Sequence, residues 1–153
     1  MKLSDLIHEQ NVIPDLKAKD KRGVLEELVD TLVEQEPSLD KNALVKVLLE
    51  RERLGSTGIG DGVAIPHGKF PGITQPSISF GRSRKGLDFD SMDGEPTHLF
   101  FLLVAPENSA SIHLKALARI AKILKNSAFR KELMEVTGRQ DLYHKIIQND
   151  EEF

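Results

Sequence analysis

Apolar residues recur three and four positions apart through residues 20 to 35. Val24, Leu25, Leu28, Val29, Leu32 and Val33 follow Asp20, a good N-cap, and Pro37 follows the expected end. That spacing predicts an amphipathic helix. Asp40 opens a second helix carrying Leu44, Val45, Leu48 and Leu49, which runs to Arg51 and Arg53 and stops near Gly55. From Gly55 to Phe89 the pattern changes to glycine-rich turns and short strands. Val63, Ala64 and Ile65 read as a brief buried strand, and Ile78 and Phe80 alternate with Ser77 and Ser79. Ser91 to Pro96 reads as a turn. His98 to Pro106 is one continuous apolar strand, a type that belongs in the middle of a sheet covered on both faces. Ser109 and Ser111 then offer N-caps to a helix with His113, Leu117, Ile120 and Leu124 on one face. Shorter helices follow around Ala128 to Val136 and Gln140 to Ile147, separated by Thr137-Gly138. Helices before and after a central group of strands predict an α/β sandwich.

Composition narrows the class without naming a chemistry. At 153 residues, 39% hydrophobic and 29% charged, the chain has the size of one soluble domain spanning 1–153. A formal net charge of −3 with both signs interspersed argues against a nucleic-acid surface. Cysteine is absent, so neither a disulfide framework nor thiolate chemistry is available. The start, Met1-Lys2-Leu3-Ser4-Asp5, lacks an apolar signal core and no stretch is long enough to span a bilayer, so a cytoplasmic protein without membrane insertion is expected. No His-Glu-x-x-His or comparable cluster offers a metal site. The glycine stretch 55–62 lacks the Gly-Lys-Ser/Thr ending of a P-loop, and no serine lies in a Gly-x-Ser-x-Gly elbow.

The informative residues lie in Gly60-Asp61-Gly62-Val63-Ala64-Ile65-Pro66-His67-Gly68-Lys69. Pro66 removes a backbone donor and holds Ile65 extended, and Gly68 permits a tight turn, so His67 should sit at a strand end with little side-chain cover. A neutral imidazole there has a free ring nitrogen that can attack phosphorus. Such transfer asks for positive charge and hydrogen-bond donors around the moving oxygens, which Arg51, Ser56, Thr57 and nearby glycine amides could supply. His113, in the first turn of its helix, faces a dipole that favours the neutral ring and welcomes an anion. Position alone leaves bland readings open: a solvated turn histidine at 67, a core histidine bonded to a backbone carbonyl at 113, and dipole compensation at Arg51 and Arg53.

Taken together, Arg51-Glu52, the run Gly55-Ser56-Thr57-Gly58-Ile59-Gly60-Asp61-Gly62-Val63-Ala64-Ile65-Pro66-His67-Gly68-Lys69 and His113-Leu114 opening a helix resemble the IIA proteins of the bacterial phosphoenolpyruvate phosphotransferase system. The likeness is to the fructose/mannitol type, and within it to the nitrogen-regulatory branch. This resemblance implies a mixed sheet flanked by helices on both faces. It implies a phosphotransferase with a phosphohistidine intermediate at His67, normally on the tele nitrogen, with His113 stabilising the phosphoryl group and Arg51 near the site. Ser56, Thr57 and Gly58 would belong to a phosphate-binding loop. The donor would be an HPr-like histidine phosphocarrier charged through enzyme I, with no metal, nucleotide or other cofactor. Partners would be regulated proteins bound according to phosphorylation. The alternatives are a stand-alone IIA passing phosphate to a sugar-specific IIB subunit on another chain, or a purely regulatory binding module.

Overall fold

The two apolar stripes of the first third of the chain become neighbouring helices, α1 (Lys21–Gln35) and α2 (Lys41–Leu54), in the computed structural model, which describes residues 1–148. Each begins at the expected aspartate. The Asp20 carboxylate accepts the Gly23 N–H at 2.8 Å and Asp40 accepts that of Ala43 at 3.1 Å, caps worth about 1 kcal/mol each.

Six strands form one mixed sheet: β1 (Val12–Ile13), β2 (Gly58–Gly60), β3 (Val63–Ala64), β4 (His67–Lys69), β5 (Ser77–Leu87) and β6 (Thr97–Ala105). Their order is β1-β5-β6-β3-β2, with β4 also paired to β6. β5 and β6 are antiparallel, whereas β1 runs parallel to β5 and both β3 and β4 run parallel to β6. The β2–β3 hairpin turns at Asp61-Gly62, both at positive φ (57° and 76°), the geometry for which an Asp-Gly pair is suited.

Because β6 is central, its side chains alternate between two covered faces. Leu99, Phe101 and Leu103 join the core beneath α3 (Ala110–Leu124), α4 (Ser127–Glu135) and α5 (Arg139–Gln148), while Phe100, Leu102 and Val104 join the core beneath α1 and α2. This is the expected sandwich, with the burial expected of a doubly covered strand.

The structure departs from the sequence expectation in small elements. The strand expected over Val63 to Ile65 ends at Ala64, although the Ile65 N–H still bonds the Thr57 carbonyl at 3.0 Å, one step along the β2–β3 register. Ser79, expected as the polar side of an alternating strand, is fully buried: its hydroxyl bonds Thr31 at 2.9 Å and the Asn11 carbonyl at 3.3 Å. Ser109 does cap α3 by position, but its hydroxyl donates to the Pro106 carbonyl at 2.8 Å rather than to the helix. Ser111 lies inside the first turn.

Arg82, 1% exposed, pins the far end of the sheet. Its guanidinium donates to the carbonyls of Pro14, Leu133 and Val136, and no carboxylate pairs with it among the described residues. Burial pushes this guanidinium down from its ordinary value. Arg82→Met keeps the apolar bulk but removes a donor from each of three carbonyls. It is expected to lower unfolding free energy by about 2 kcal/mol, read from the urea midpoint.

Candidate functional site

Pro66 and its neighbours explain how His67 is presented. Ile65 turns its N–H to Thr57, the Pro66 carbonyl accepts the Leu103 N–H at 2.9 Å, and the chain rejoins β6 as β4 with His67 opposite Leu103. His67 therefore opens a strand on the far side of a break, rather than closing one. Its ring is half-buried on the α3 face, and Gly68 points the opposite way, where a Cβ would meet Leu48 and Val47 side chains at 3.4 Å.

The His67 Nδ1 lies 2.8 Å from the Ile65 carbonyl oxygen. A carbonyl only accepts, so Nδ1 carries the hydrogen and Nε2 presents its lone pair. Burial holds the ring below the ordinary histidine value; the Ile65 carbonyl opposes this, Arg51 adds to it, and Glu52 opposes it. The imidazole is neutral at physiological pH, the state a nucleophile needs.

His113 sits one turn into α3, its N–H bonded to the Ser109 carbonyl at 3.0 Å. Its ring centroid is 5.6 Å from that of His67, with the planes tilted by 55°. Only 7% exposed, it too is held below the ordinary histidine value, by burial first and then by His67 and Lys69. Its Nδ1 is buried and has no hydrogen-bond partner among the described residues, a condition costing about 1–3 kcal/mol unless a ligand relieves it. The backbone-carbonyl partner left open by the sequence is thus absent from Nδ1.

Both depressed histidines give folding a pH dependence of known sign. Below an ordinary value near 6.5 the unfolded chain takes up protons that the folded rings resist, so stability falls as pH drops through that range. A thermal-unfolding series should show Tm declining from pH 7 toward pH 5.5, and replacing His113 with Leu should flatten the decline.

Arg51, at the end of α2, donates Nη1 to the Gly55 carbonyl at 2.7 Å and its charge reaches His67. It closes the helix end, and its charge adds positive potential at the His67 ring. Arg53 instead pairs with Glu50 at 3.0 Å on the exposed side.

The loop residues behave differently from the expectation of a phosphate-binding loop. The Ser56 hydroxyl donates to the Phe89 carbonyl at 2.8 Å and accepts the Gly58 N–H at 3.0 Å. Thr57 gives both its hydroxyl and its N–H to the Glu52 carboxylate. These hydroxyls and amides already have partners within the fold, whereas no side chain caps the first N–H groups of α3.

Glu52 was not singled out by sequence reasoning. Its side chain is 3% exposed and lies 3.1 Å from Lys21 Nζ, which also meets Asp90 at 3.2 Å and stands over the Phe89 ring at 4.8 Å. The signal was present: Glu52 falls four and eight residues after Leu48 and Leu44, where the α2 stripe calls for another apolar side chain. Among the described residues no group of His, Cys, Asp and Glu could hold a metal ion, and no helix is long and apolar enough to cross a membrane.

The family model described as "Phosphoenolpyruvate-dependent sugar phosphotransferase system, EIIA 2" matches residues 5–149. The chain is 42% identical over 143 residues to the "Nitrogen regulatory protein" of Bradyrhizobium diazoefficiens, covering 94% of this chain and 93% of that protein. It is 37% identical over 150 residues to the "PTS system fructose-specific EIIABC component" of Bacillus subtilis, covering 98% of this chain but only 24% of that longer protein. Among solved structures, the nitrogen regulatory protein IIA-Ntr from Neisseria meningitidis matches with a TM-score of 0.87 at 33% identity, over 94% of this chain and 98% of that one.

Proposed function

Since this chain belongs to the EIIA 2 family of the phosphoenolpyruvate-dependent sugar phosphotransferase system, whose members carry phosphoryl groups, we propose that His67 is the residue that carries it and Nε2 the atom. The observation that supports this most is the 2.8 Å contact from Nδ1 to the Ile65 carbonyl, which leaves Nε2 as the free base beside His113.

The lone pair of His67 Nε2 attacks the phosphorus of a donor phosphohistidine. One N–P bond forms as the donor's N–P bond breaks, and the breaking bond's electron pair returns to the donor ring nitrogen. Both rings keep the proton on their other nitrogen, so a PO₃ unit moves without any proton transfer. His67 gains positive character as it bonds phosphorus, and the Ile65 carbonyl on Nδ1–H receives it. The three equatorial oxygens meet an N–H of His113, the first-turn amides of α3 and the potential of Arg51, the positioning that phosphoryl transfer requires.

A partner of the HPr type fits the surroundings. Leu54 (87% exposed), Met92 (79%), Leu114 (64%) and Ile59 (48%) are the large exposed apolar side chains among the described residues. Leu114 follows His113, Leu54 ends the helix of Arg51, and the Met92 N–H bonds the Gly58 carbonyl beside Ile59. A phosphoryl group arriving amid this apolar rim adds nearly two negative charges, enough to break or make a contact there. Phosphorylation-dependent binding of regulated proteins follows, which is the nitrogen-regulatory reading. Near full-length coverage of the Bradyrhizobium and Neisseria proteins supports that branch. The 37% identity to a segment of the fructose-specific EIIABC component supports the second reading, a IIA that passes phosphate to a IIB subunit. On either reading residues 1–153 act as one phosphotransferase unit, in the cytoplasm where phosphoenolpyruvate is made.

The test is to charge the protein, with the ring nitrogens labelled by ¹⁵N, from a phosphorylated HPr-like carrier and to read the N–P coupling. Coupling at Nε2 of His67 is expected, and coupling at Nδ1 or at His113 would overturn the assignment. Uptake should stay level from neutral pH down through the ordinary histidine value near 6.5 and fall only at lower pH, where the depressed ring protonates.

A further inference from the structure

Burying a carboxylate costs several kcal/mol unless it is paired and hydrogen-bonded. Glu52 meets that condition in full: Lys21 Nζ lies 3.1 Å away, the Thr57 N–H reaches both oxygens at 3.1 and 3.2 Å, and the Thr57 hydroxyl bonds Oε2. What makes this arrangement more than a satisfied core charge is where Thr57 leads. The Thr57 carbonyl accepts the Ile65 N–H at 3.0 Å, and the Ile65 carbonyl in turn holds Nδ1 of His67 at 2.8 Å. Three consecutive hydrogen-bonded steps therefore run from the carboxylate to the ring that presents its lone pair. Each step fixes the next, because Ile65 stands opposite Thr57 in the continuing β2–β3 register and this bond orients its peptide.

We propose that Glu52, anchored by Lys21, is the positioning residue of the phosphoacceptor: through Thr57 and Ile65 it sets the ring pose and the Nδ1–H tautomer of His67. The tautomer decides reactivity. With hydrogen on Nδ1 the lone pair faces the site at Nε2; with hydrogen on Nε2 it is turned into the Ile65 carbonyl, where nothing can be transferred to it and two oxygen and nitrogen lone pairs oppose one another. Glu52 touches neither His67 nor a bound phosphoryl group, so its influence is on geometry and tautomer rather than on the bonds that change.

This inference rests on the assignment of His67 as phosphoacceptor for its consequence, but the tautomer itself can be read without any phosphate. In ¹⁵N-labelled protein at pH 7.5, the His67 ring should show the Nδ1–H form almost alone, by the separation of its two nitrogen shifts. Glu52→Gln, which keeps an oxygen for Thr57 but loses the ion pair with Lys21, is expected to populate the Nε2–H form measurably. It should also slow phosphoryl uptake at saturating donor by roughly ten- to a hundredfold, with KM for the donor unchanged. Thr57→Val, which keeps both backbone links and removes one hydroxyl bond, should shift the tautomer in the same direction by less, and it serves as the probe if the Gln variant does not fold. A folded variant of either kind with His67 still entirely Nδ1–H and with wild-type uptake overturns the proposal. Normal tautomer shifts in a protein that accepts no phosphate at His67 would instead overturn the functional assignment and leave the positioning role of Glu52 standing.

Discussion

Replacing His67 with alanine is expected to abolish acid-labile phosphate on this protein when it is incubated with a phosphorylated HPr-like donor. The expectation follows from the inequality of the two histidines. Of these two, only His67 has one nitrogen committed as a donor to a carbonyl and the other left as a free base in a half-buried, reachable position. His113 is nearly enclosed at 7% exposure, and its Nδ1 is sealed from solvent, so a donor protein cannot bring phosphorus in line with that atom. Label should therefore fall to background, a loss beyond a thousandfold in uptake rate, since removing the nucleophile leaves no second group able to form the N–P bond. Fold is not at stake, because the ring packs on one side of a three-residue strand whose ladder bonds to β6 are made by the backbone. Unchanged circular dichroism with complete loss of label is the predicted pair of results. Label retained in this variant would reassign the carrier residue.

His113→Ala should show the complementary defect: phosphate still lands on His67, but at a rate lower by about 10²–10³, the usual effect of deleting one preorganised donor to a developing oxyanion. The physical basis is the neutral ring held 5.6 Å from His67. A neutral imidazole can give one N–H to an oxygen of the moving group and incurs no electrostatic competition with Arg51 for the same charge. Single-turnover measurements at saturating donor separate this from weaker docking: kcat should fall while the donor's half-saturating concentration stays within twofold. Removing a buried side chain also opens space, so a stability loss of about 1–2 kcal/mol is expected alongside, small enough to leave the protein folded. A wild-type rate in this variant would remove His113 from the transfer step.

The helices were legible because two independent signals agree at each: apolar spacing gave α1 and α2 their faces, and Asp20 and Asp40 gave them their starts. The central position of β6 was legible from an unbroken apolar run, which only a doubly covered strand tolerates. The short strands β1 and β4 were not. β1 has two residues and β4 three, too few for any period, and each exists because a longer strand beside it offers a free edge. At the site, the residue types around His67 and His113 marked both rings, whereas their meeting depends on β4 and α3 flanking the same end of β6, which is a property of the assembled sheet. The hydrogen-bond partners of Ser56, Thr57 and Gly58 were hidden for a related reason. A hydroxyl in a glycine-rich loop has many local partners available to it, and only the placement of Phe89 and Glu52 decides which it takes. Glu52 itself could have been found by asking why an acid interrupts an apolar stripe.

β3 and β4 lie in succession along one edge of β6, with Val63 opposite Leu99 and His67 opposite Leu103. Four residues on one side match four on the other, so Ile65 and Pro66 form an interruption with no slack. Adding or deleting a single residue there would invert the reactive ring toward α2. A change in chain length is tolerated in exposed connections such as those around Gly72 and Glu107, while the span from Ala64 to His67 acts as a fixed ruler.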